Sequence, residues 1–192
     1  MPILSVPTTA CDHLRGTSIT PWVPDIDLPL AWHDRAALET DPTWQQIIPY
    51  AVLVDLQDRP WAYRRTGGDP RLQERRSIGV GGHVEQEDDR GGLLATARAA
   101  LARELAEELQ EFPQQMTAHA LPVAWIHERD SAVGRVHLGL VFVIPWGLAN
   151  PPRPRPGEGL AGLGFVAPAS ITTAQGYETW SVLALKALEL RP

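Results

Sequence analysis

The sequence contains a single cysteine, Cys11, and a single lysine, Lys186, among its 192 residues. One cysteine cannot form a disulfide within the chain, which is typical of a reducing compartment, so we expect a cytoplasmic location. No apolar segment approaches the roughly 20 residues that a membrane-spanning helix needs. The first residues carry neither the basic flank nor the apolar stretch of a secretory signal peptide. These absences argue against a disulfide-rich secreted protein and against a membrane protein.

The chain carries a formal net charge of −6, which disfavours nucleic acid as a general partner. Its length suits one core that buries roughly 70% of the unfolded surface, and nothing in the composition marks a second core. We therefore expect a single domain over residues 31–192. Residues 1–30 are rich in proline and threonine and lack a hydrophobic period, which predicts an extended N-terminal arm. The sequence leaves a homodimer open.

Hydrophobic periodicity predicts strands that alternate with helices. Strands are expected at 47–56, 61–65, 77–80, 118–127, 136–144 and 163–166, and helices at 93–109 and 177–190. Asp34 is expected to cap a further short helix that ends near Glu39. Such an order is typical of an α/β protein with a mixed sheet between helical layers.

Three carboxylates share one stripe of the helix predicted at 93–109. Glu104, Glu107 and Glu108 stand at i, i+3 and i+4, so their side chains lie within about 6 Å of one another on one face. Like charges that close repel, and a divalent cation is a natural way to hold them together. Because Mg²⁺ prefers oxygen ligands and substrate phosphates, the stripe suggests metal-assisted chemistry on a phosphate compound. The alternative is an ordinary solvated helix face, in which Arg103 and Glu107 form an i, i+4 ion pair.

The residues upstream of this stripe favour the metal hypothesis. The run G-G-H-V-E begins at Gly81, and the run R-E-L-A-E-E-L begins at Arg103. Together they resemble the box of the Nudix hydrolases, G-x5-E-x7-R-E-U-x-E-E-x-G-U, in which U is aliphatic. Gly82 matches the first glycine of that box. The resemblance implies the Nudix-type α/β/α sandwich, and the segment from Tyr63 to Leu109 is similar to a divergent, phosphoesterase-like branch with an extended box.

The chain departs from the family pattern at three positions. The interval from Gly82 to Arg103 is seven residues longer than in the family, and the extra length is either loop or helix. The early glutamate of the box falls on Asp88, with Glu85, Glu87 and Asp89 as competitors for its role of steadying the arginine. Gln110 replaces the glycine that normally ends the helix, so Pro113 is the expected stop.

The resemblance also implies roles for individual residues. Glu104, Glu107 and Glu108, with the carbonyl of Gly81, would hold Mg²⁺ or Mn²⁺. Arg103 would brace the glycine turn. Family members differ over the general base, which here is Glu104 or a later glutamate. Among the later glutamates Glu158 is the first choice, because it precedes the strand expected at 163–166, and Glu178 is the second.

Substrate contacts are expected from the arginine-rich segment and from one histidine. Arginines suit diphosphate oxygens because the guanidinium group donates in a fork. Arg64, Arg65 and Arg76 are the candidates, against the alternative of a solvated hairpin rim. His137 alternates with apolar residues and so faces the other side of its strand, where it is either structural or a substrate contact. His83, within the glycine turn, is assigned no role.

These observations predict a metal-dependent pyrophosphohydrolase that cleaves a nucleoside diphosphate linked to another moiety. One alternative retains the fold as a catalytically silent nucleotide-binding or regulatory module. Another is a non-enzymatic interaction protein that uses its acidic helix to bind a partner. The group attached to the diphosphate is left open, because substrate specificity resides in loops.

Overall fold

Ten strands and four α-helices make up the computed structural model, which describes residues 1–14, 18–24, 27–68 and 70–191. The strands are β1 (Pro2–Pro7), β2 (Ile19–Pro21), β3 (Ala31–Asp34), β4 (Trp44–Val54), β5 (Trp61–Arg65), β6 (Arg76–Ser77), β7 (Gly79–Gly81), β8 (Pro122–Ile126), β9 (His137–Pro145) and β10 (Leu160–Phe165). The helices are α1 (Arg35–Leu38), α2 (Leu93–Glu108), α3 (Gln115–Ala118) and α4 (Thr179–Ala187).

The main sheet has seven strands. Six of them follow the order β2-β8-β9-β4-β1-β3, and β7 also pairs with β4. The central pair, β4 and β9, is parallel, whereas the other pairs of this sheet are antiparallel. Every residue of β4 after Trp44 is buried, as expected for a strand covered on both faces. A second sheet of three strands has the order β10-β5-β6.

Helices cover both faces of the main sheet. On one side Ala97, Leu101 and Leu105 of α2 join a core cluster with strand residues of both sheets. On the other side Trp180 and Ala184 of α4 join a second cluster. The expected α/β/α architecture with a mixed sheet is confirmed.

The segment that leads into α2 is mostly loop. Between Gly82 and Leu93 the chain forms only a short 3₁₀ turn, Gln86–Asp88, and α2 begins at Leu93. The expected stop at Pro113 is wrong, since the helix ends at Glu108. Leu109 is fully buried and extended, and it forms a bridge with Pro154, which draws the chain out of the helix.

The N-terminal segment differs from the expected arm. Residues 2–7 form β1, an inner strand of the main sheet that pairs with β4 on one side and with β3 on the other. Ile3 and Val6 are fully buried in it. Residues 1–30 therefore contribute a strand to the same sheet as residues 31–192. The sequence did not indicate this strand, because the adjacent apolar residues Ile3 and Leu4 break the alternation that is typical of a half-buried strand. Residues 15–17 and 25–26 of the expected arm lie outside the described part of the chain.

Within the described ranges, no helix combines the length and the apolarity needed to cross a bilayer.

Because β1 is buried, shortening one of its side chains should strongly reduce the stability of the protein. Ile3→Ala should lower the free energy of unfolding by about 2–5 kcal/mol, because the cavity it leaves lies in a packed core. Val23→Ala is the control, since Val23 is 55% exposed. Urea unfolding of both variants measures the difference. Equal, small effects at both positions would contradict an inner-strand role for β1.

Candidate active site

A pocket of about 490 Å³ lies where the glycine turn, α2 and the start of α4 meet. Both acidic and basic side chains line it. The acidic lining residues are Glu85, Glu104 and Glu178, and the basic ones are Arg35, Arg65, Arg71 and Arg75. A pocket that presents carboxylates and guanidinium groups together can hold a cation and an anion side by side.

Two glycines let the backbone of the turn pack closely, one against the acidic helix and one against β4. A Cβ atom on Gly82 would lie 2.2 Å from the carboxyl carbon of Glu104, and one on Gly81 would lie 2.1 Å from the carbonyl oxygen of Pro49. Neither position has room for a side chain. Glycine at position 82 therefore lets the turn lie against Glu104, and glycine at position 81 lets it lie against β4.

Arg103 joins the turn to α2. Its Nη2 donates to the carbonyl of His83 and to Asp88, each at 2.8 Å, and its Nε donates to the other Asp88 oxygen at 3.2 Å. Nη1 donates to Glu104 at 2.8 Å. Among the four acidic candidates, the buried Asp88 is thus the residue that steadies the arginine, whereas Glu85 approaches it only to 4.0 Å.

Burial and mutual repulsion raise the pKa values of two carboxylates on the helix. Burial raises the pKa of Glu108 to about 8, and Glu104 and Glu158 add to this while Arg65 opposes it. Burial also raises the pKa of Glu104, against the opposing effect of its contact with Arg103. Glu107 is more open, with 54% of its side chain exposed. The stripe predicted from spacing is therefore a partly desolvated acidic group, unlike an ordinary solvated helix face.

The oxygen atoms of this group suit a hard divalent cation. Oε2 of Glu108 is buried and has no hydrogen-bond partner among the residues that the structure describes, which is costly for a carboxylate unless a cation or proton reaches it. Within the described residues, no three acidic, imidazole or thiol groups already converge as a complete metal site. Glu104 is held instead by its ion pair with Arg103. The donor set fits Mg²⁺ or Mn²⁺ in chemistry, and the carboxylates have to move closer to coordinate it together.

Arg155 attaches the loop that carries Glu158 to the end of α2. The guanidinium of Arg155 donates to the carbonyl oxygens of Ala106 at 2.7 Å and Glu107 at 3.1 Å, and its backbone N–H donates to that of Glu108 at 2.7 Å. These are carbonyls that a helix end leaves without partners. The proline-rich loop is thereby docked on α2, and the exposed Glu158 lies close enough to raise the pKa of Glu108.

The same loop explains how α2 ends without the glycine of the family pattern. The backbone N–H of Gln110 donates to the Arg153 carbonyl at 2.9 Å, and its side chain donates to the Pro154 carbonyl at 2.7 Å. Carbonyl acceptors of a distant segment thus bind the residue that follows the end of the helix, where the family pattern has a left-handed glycine turn.

Glu178 lies in the pocket but is engaged in a buried network. Its Oε1 accepts hydrogen bonds from Tyr50 at 3.0 Å and from Ser77, and its Oε2 lies 3.6 Å from Nε of Arg65. The side chain is only 6% exposed. These contacts fix the start of α4 against β6 and hold Arg65 in the pocket wall.

The arginines are distributed differently from the sequence expectation. Arg65 lines the pocket as expected, but Arg64 and Arg76 do not. Arg64 pairs with Glu74 in the hairpin rim, and the Arg76 guanidinium lies over the Tyr177 ring at 5.9 Å. Successive residues of a strand point to opposite faces, so Arg64 and Arg65 of β5 cannot both enter the pocket. Arg71 and Arg75, which belong to the same arginine-rich segment, also line the pocket, and so does Arg35, which no sequence pattern indicated.

Two histidines lie together in the pocket wall. The rings of His83 and His137 are 5.5 Å apart. Nδ1 of the buried His137 pairs with the carbonyl of Val133 at 2.8 Å, which ties the pocket-lining segment 131–133 to β9. Burial lowers the pKa of His83 to about 3, and the positive charges of Arg35, Arg103 and Arg71 contribute. His83, which had no expected role, is thus a neutral lining residue.

Segment 131–133 is also held by a residue that the sequence analysis missed. Glu128 is buried, and its Oε1 accepts the backbone N–H groups of Asp130 at 2.5 Å and Ser131 at 2.6 Å. Its Oε2 accepts the Ser131 hydroxyl at 2.7 Å. No periodicity singled out Glu128, because its function depends on the fold of the loop that follows it.

The raised pKa of Glu108 predicts how stability depends on pH in metal-free protein. Between the ordinary pKa of 4.5 and the folded value of about 8, the folded protein keeps a proton that the unfolded chain has released. Stability from this group is therefore present below pH 4.5 and is lost as the pH rises to about 8. Glu108→Gln should gain stability relative to wild type as the pH rises through this window.

Urea unfolding with a chelator, at the two ends of the window, measures that gain. Glu189→Gln is the control, because Glu189 is exposed and remote in sequence from the helix. A stability difference between Glu108→Gln and wild type that stays constant with pH would show that Glu108 ionises normally.

Comparison with known proteins identifies the fold. No protein-family model matches the chain. Protein YmaB of Bacillus subtilis (strain 168) is 31% identical over 112 residues, which are 57% of this chain and 53% of YmaB, so the match spans about half of that relative. Tm1382, provisionally described as a Nudix hydrolase, superposes with a TM-score of 0.71 at 21% identity and covers 98% of both chains.

Two further solved structures share the arrangement. DR0079 from Deinococcus radiodurans has a TM-score of 0.55 at 18% identity, over 91% of this chain and 99% of its own. A bifunctional NMN adenylyltransferase/ADP ribose pyrophosphatase from Francisella tularensis, complexed with AMP and a Mn ion, has a TM-score of 0.56 at 14% identity, over 76% of this chain and 41% of its own. The chain therefore has the fold of the Nudix hydrolases.

Proposed function

We propose that the protein is a Nudix-type, metal-dependent pyrophosphohydrolase that cleaves a nucleoside diphosphate linked to another moiety. The observation that carries the proposal is the buried, unpartnered oxygen of Glu108 within a stripe of three glutamates beside the glycine turn. A protein that only bound nucleotides would gain nothing from burying a carboxylate among others. A cation that reaches this oxygen compensates for the burial.

The metal ligands in this proposal are the carboxylates of Glu104, Glu107 and Glu108, with the carbonyl of Gly81. The ion is Mg²⁺ or Mn²⁺, and when bound it neutralises charge on the phosphate oxygens and favours ionisation of water. The Francisella neighbour, which contains a Mn ion and AMP, supports this choice at the level of the shared fold. Arg103 holds Glu104 and the glycine turn at a fixed separation, so it positions the ligands without contacting substrate.

Glu158 is the preferred general base. Glu104 is already bound to Arg103, and Glu178 is surrounded by donors, whereas Glu158 is exposed on a loop that Arg155 docks beside Glu108. In the proposed step water attacks one phosphorus, the bond from that phosphorus to the bridging oxygen breaks, and the water proton passes to Glu158. The bridging oxygen leaves on the other phosphate.

The substrate phosphates would be held by arginines of the pocket. Arg65 is fixed by its ion pair with Glu178 and by the Tyr63 ring, 5.5 Å from its guanidinium carbon. Arg71 and Arg75 follow on the turn between β5 and β6 and also line the pocket. His137 shapes the wall by holding segment 131–133. Arg64 is not part of this proposal because it pairs with Glu74 in the hairpin rim, and Arg76 is not part of it because its guanidinium lies over the Tyr177 ring.

Charge-removing variants of the stripe test the catalytic proposal. Glu107→Gln and Glu108→Gln should each reduce turnover by at least about 10²-fold, the scale of losing one major electrostatic contribution to a transition state. Both variants should stay folded, since glutamine keeps the size and helix propensity. Mg²⁺ should raise the melting temperature of wild type more than that of either variant.

The assay follows phosphate-bond hydrolysis with Mg²⁺ on nucleotide sugars, dinucleoside polyphosphates, NADH and coenzyme A. Glu189→Gln serves as the control and should be fully active. Glu158→Gln separates the candidate bases: a loss as deep as that of Glu108→Gln supports Glu158, and a mild loss shifts the role to Glu104 or Glu178. Full activity of both stripe variants on a substrate of the wild type would remove α2 from the mechanism.

Two arginines of the same arginine-rich segment, one inside the pocket lining and one outside it, provide a matched test of substrate binding. Arg75→Gln should raise KM more than it lowers kcat, because Arg75 lines the pocket and grips the ground state. Arg64→Gln should leave both constants unchanged, because Arg64 pairs with Glu74 outside the pocket. Steady-state kinetics at several substrate concentrations measure both. Equal effects of the two substitutions would mean that position relative to the pocket does not decide binding.

A further inference from the structure

Glu178 immediately precedes α4, yet its carboxylate does not cap that helix. A side-chain oxygen in this position commonly accepts a backbone N–H of the first helical turn, which stabilises the helix. Here Oε1 instead accepts hydroxyl hydrogen bonds from Tyr50 at 3.0 Å, from Ser181 at 3.4 Å and from Ser77. Those hydroxyl groups belong to β4, α4 and β6. The carboxylate therefore joins three elements at the pocket wall.

Further contacts fix the position of this carboxylate. The backbone N–H of Glu178 donates to the carbonyl of Arg76 at 3.0 Å, which attaches the start of α4 to β6. The hydroxyl of Ser181 accepts the backbone N–H of Ile78 at 3.1 Å. Only 6% of the Glu178 side chain is exposed. A carboxylate with so little access to water is stable only beside a positive charge and hydrogen-bond donors.

Arg65 supplies the positive charge. Its Nε is fully buried and lies 3.6 Å from Oε2 of Glu178. Its guanidinium carbon lies 5.5 Å from the centre of the Tyr63 ring. The hydroxyl of that ring donates to the carbonyl of Gly79 at 2.7 Å, so the ring is itself anchored. One side of the guanidinium is thus held by a fixed charge and by a fixed ring.

The other side of the same guanidinium is open. Neither Nη atom of Arg65 donates a hydrogen bond to a described residue, and neither is among the fully buried atoms that lack a partner. Both Nη atoms are therefore accessible, although only 16% of the side chain is exposed. Arg65 lines the pocket. A guanidinium held in this way can donate from both Nη atoms to two oxygens of one phosphate.

We infer that Glu178 is a positioning residue, which fixes the Arg65 guanidinium so that both Nη groups meet a phosphate of the substrate. An arginine that is already ordered loses less conformational freedom when the phosphate binds, and binding is stronger for that reason. The inference rests on the proposed function, because it takes a phosphate compound as the ligand. It makes the buried hydroxyl groups part of the substrate site, and it assigns Glu178 no proton transfer.

Glu178 affects phosphate binding in two opposite ways. Its negative charge repels a phosphate, so removal of the charge alone would strengthen binding. Its contact with Arg65 keeps the guanidinium ordered, so loss of that contact would weaken binding. Glu178→Gln keeps the size of the side chain and removes the charge. The sign of the change in affinity therefore shows which effect dominates.

The first test measures binding of α,β-methylene-ADP, whose P–C–P bridge resists hydrolysis, by calorimetry in the presence of Mg²⁺. Glu178→Gln should bind this probe about fivefold more weakly than wild type, the scale of one net hydrogen bond. Ser181→Ala is the control, because it removes the contact with Ile78 but leaves the pair of Glu178 and Arg65. It should melt at a lower temperature and keep the wild-type affinity.

The second test asks whether Glu178 acts through Arg65. Arg65→Gln should weaken binding of the same probe, and adding Glu178→Gln to it should cause no further loss. Residues with independent effects would instead give a double variant whose loss is the product of the two single losses. Unchanged or tighter binding in Glu178→Gln, independent losses in the double variant, or no binding by wild type overturns the inference.

Kinetics distinguish a positioning residue from a general base. On a substrate of the wild type, Glu178→Gln should raise KM about fivefold and leave kcat within about twofold, with an unchanged pH dependence of kcat. A general base would lose most of kcat, together with the acidic limb of the pH profile. That result would overturn the assignment of Glu178 as a positioning residue.

Nuclear magnetic resonance of the wild type provides a test that needs no change within the network, in case Glu178→Gln does not fold. In ¹⁵N-labelled protein the two Nη groups of Arg65, assigned by their loss in Arg65→Gln, should give separate signals because rotation of the held guanidinium is hindered. Addition of α,β-methylene-ADP should shift both signals. A single averaged signal in the free protein would mean that the guanidinium is not fixed, and it would overturn the inference.

Failure of this inference and failure of the proposed function give different results. A protein that hydrolyses a diphosphate compound but binds the probe independently of Glu178 keeps the proposed function and loses this inference. A protein that binds the probe through coupled Glu178 and Arg65, but hydrolyses no substrate, does the reverse.

Discussion

The guanidinium of Arg103 makes the contacts on which the site depends. It binds a backbone carbonyl of the glycine turn, both oxygens of Asp88 and one oxygen of Glu104. A planar group with five donors in fixed directions can satisfy these four oxygens from separate segments at once, whereas a lysine has only three donors. The turn, the loop before α2 and the acidic stripe are therefore held in one arrangement. The loop before α2 can be longer than in the family pattern because Asp88 still reaches the arginine.

A second contact governs the other end of α2. Arg155 and Gln110 replace the usual glycine turn with hydrogen bonds between α2 and a proline-rich loop. The helix end is thus satisfied by a segment that also carries Glu158. The loop therefore has two roles: it binds the end of the helix, and it brings the candidate base to the acidic group.

The pocket combines charges of both signs at short range. Carboxylates that repel one another lie near arginines, and the rings of His83 and His137 lie in the wall. Buried carboxylates are costly, and the divalent cation of the proposed mechanism would relieve that cost while leaving the arginines free to attract phosphate. Such an arrangement is unfavourable for the free protein and favourable for the complex, which is expected of a binding site for a metal and an anion.

The sequence by itself determined the α/β class, most strand positions, the acidic stripe and the glycine turn. These features depend on local periodicity and on spacing within one helix, so they can be inferred directly from the sequence. Only the tertiary structure showed that residues 2–7 are an inner strand, that Arg75 lines the pocket whereas Arg64 does not, and that Asp88 holds Arg103. It also decided that α2 ends at Glu108, through contacts with residues 153–155. Each of these outcomes depends on pairing or packing between segments far apart in the chain, and no local pattern encodes which distant segment will arrive.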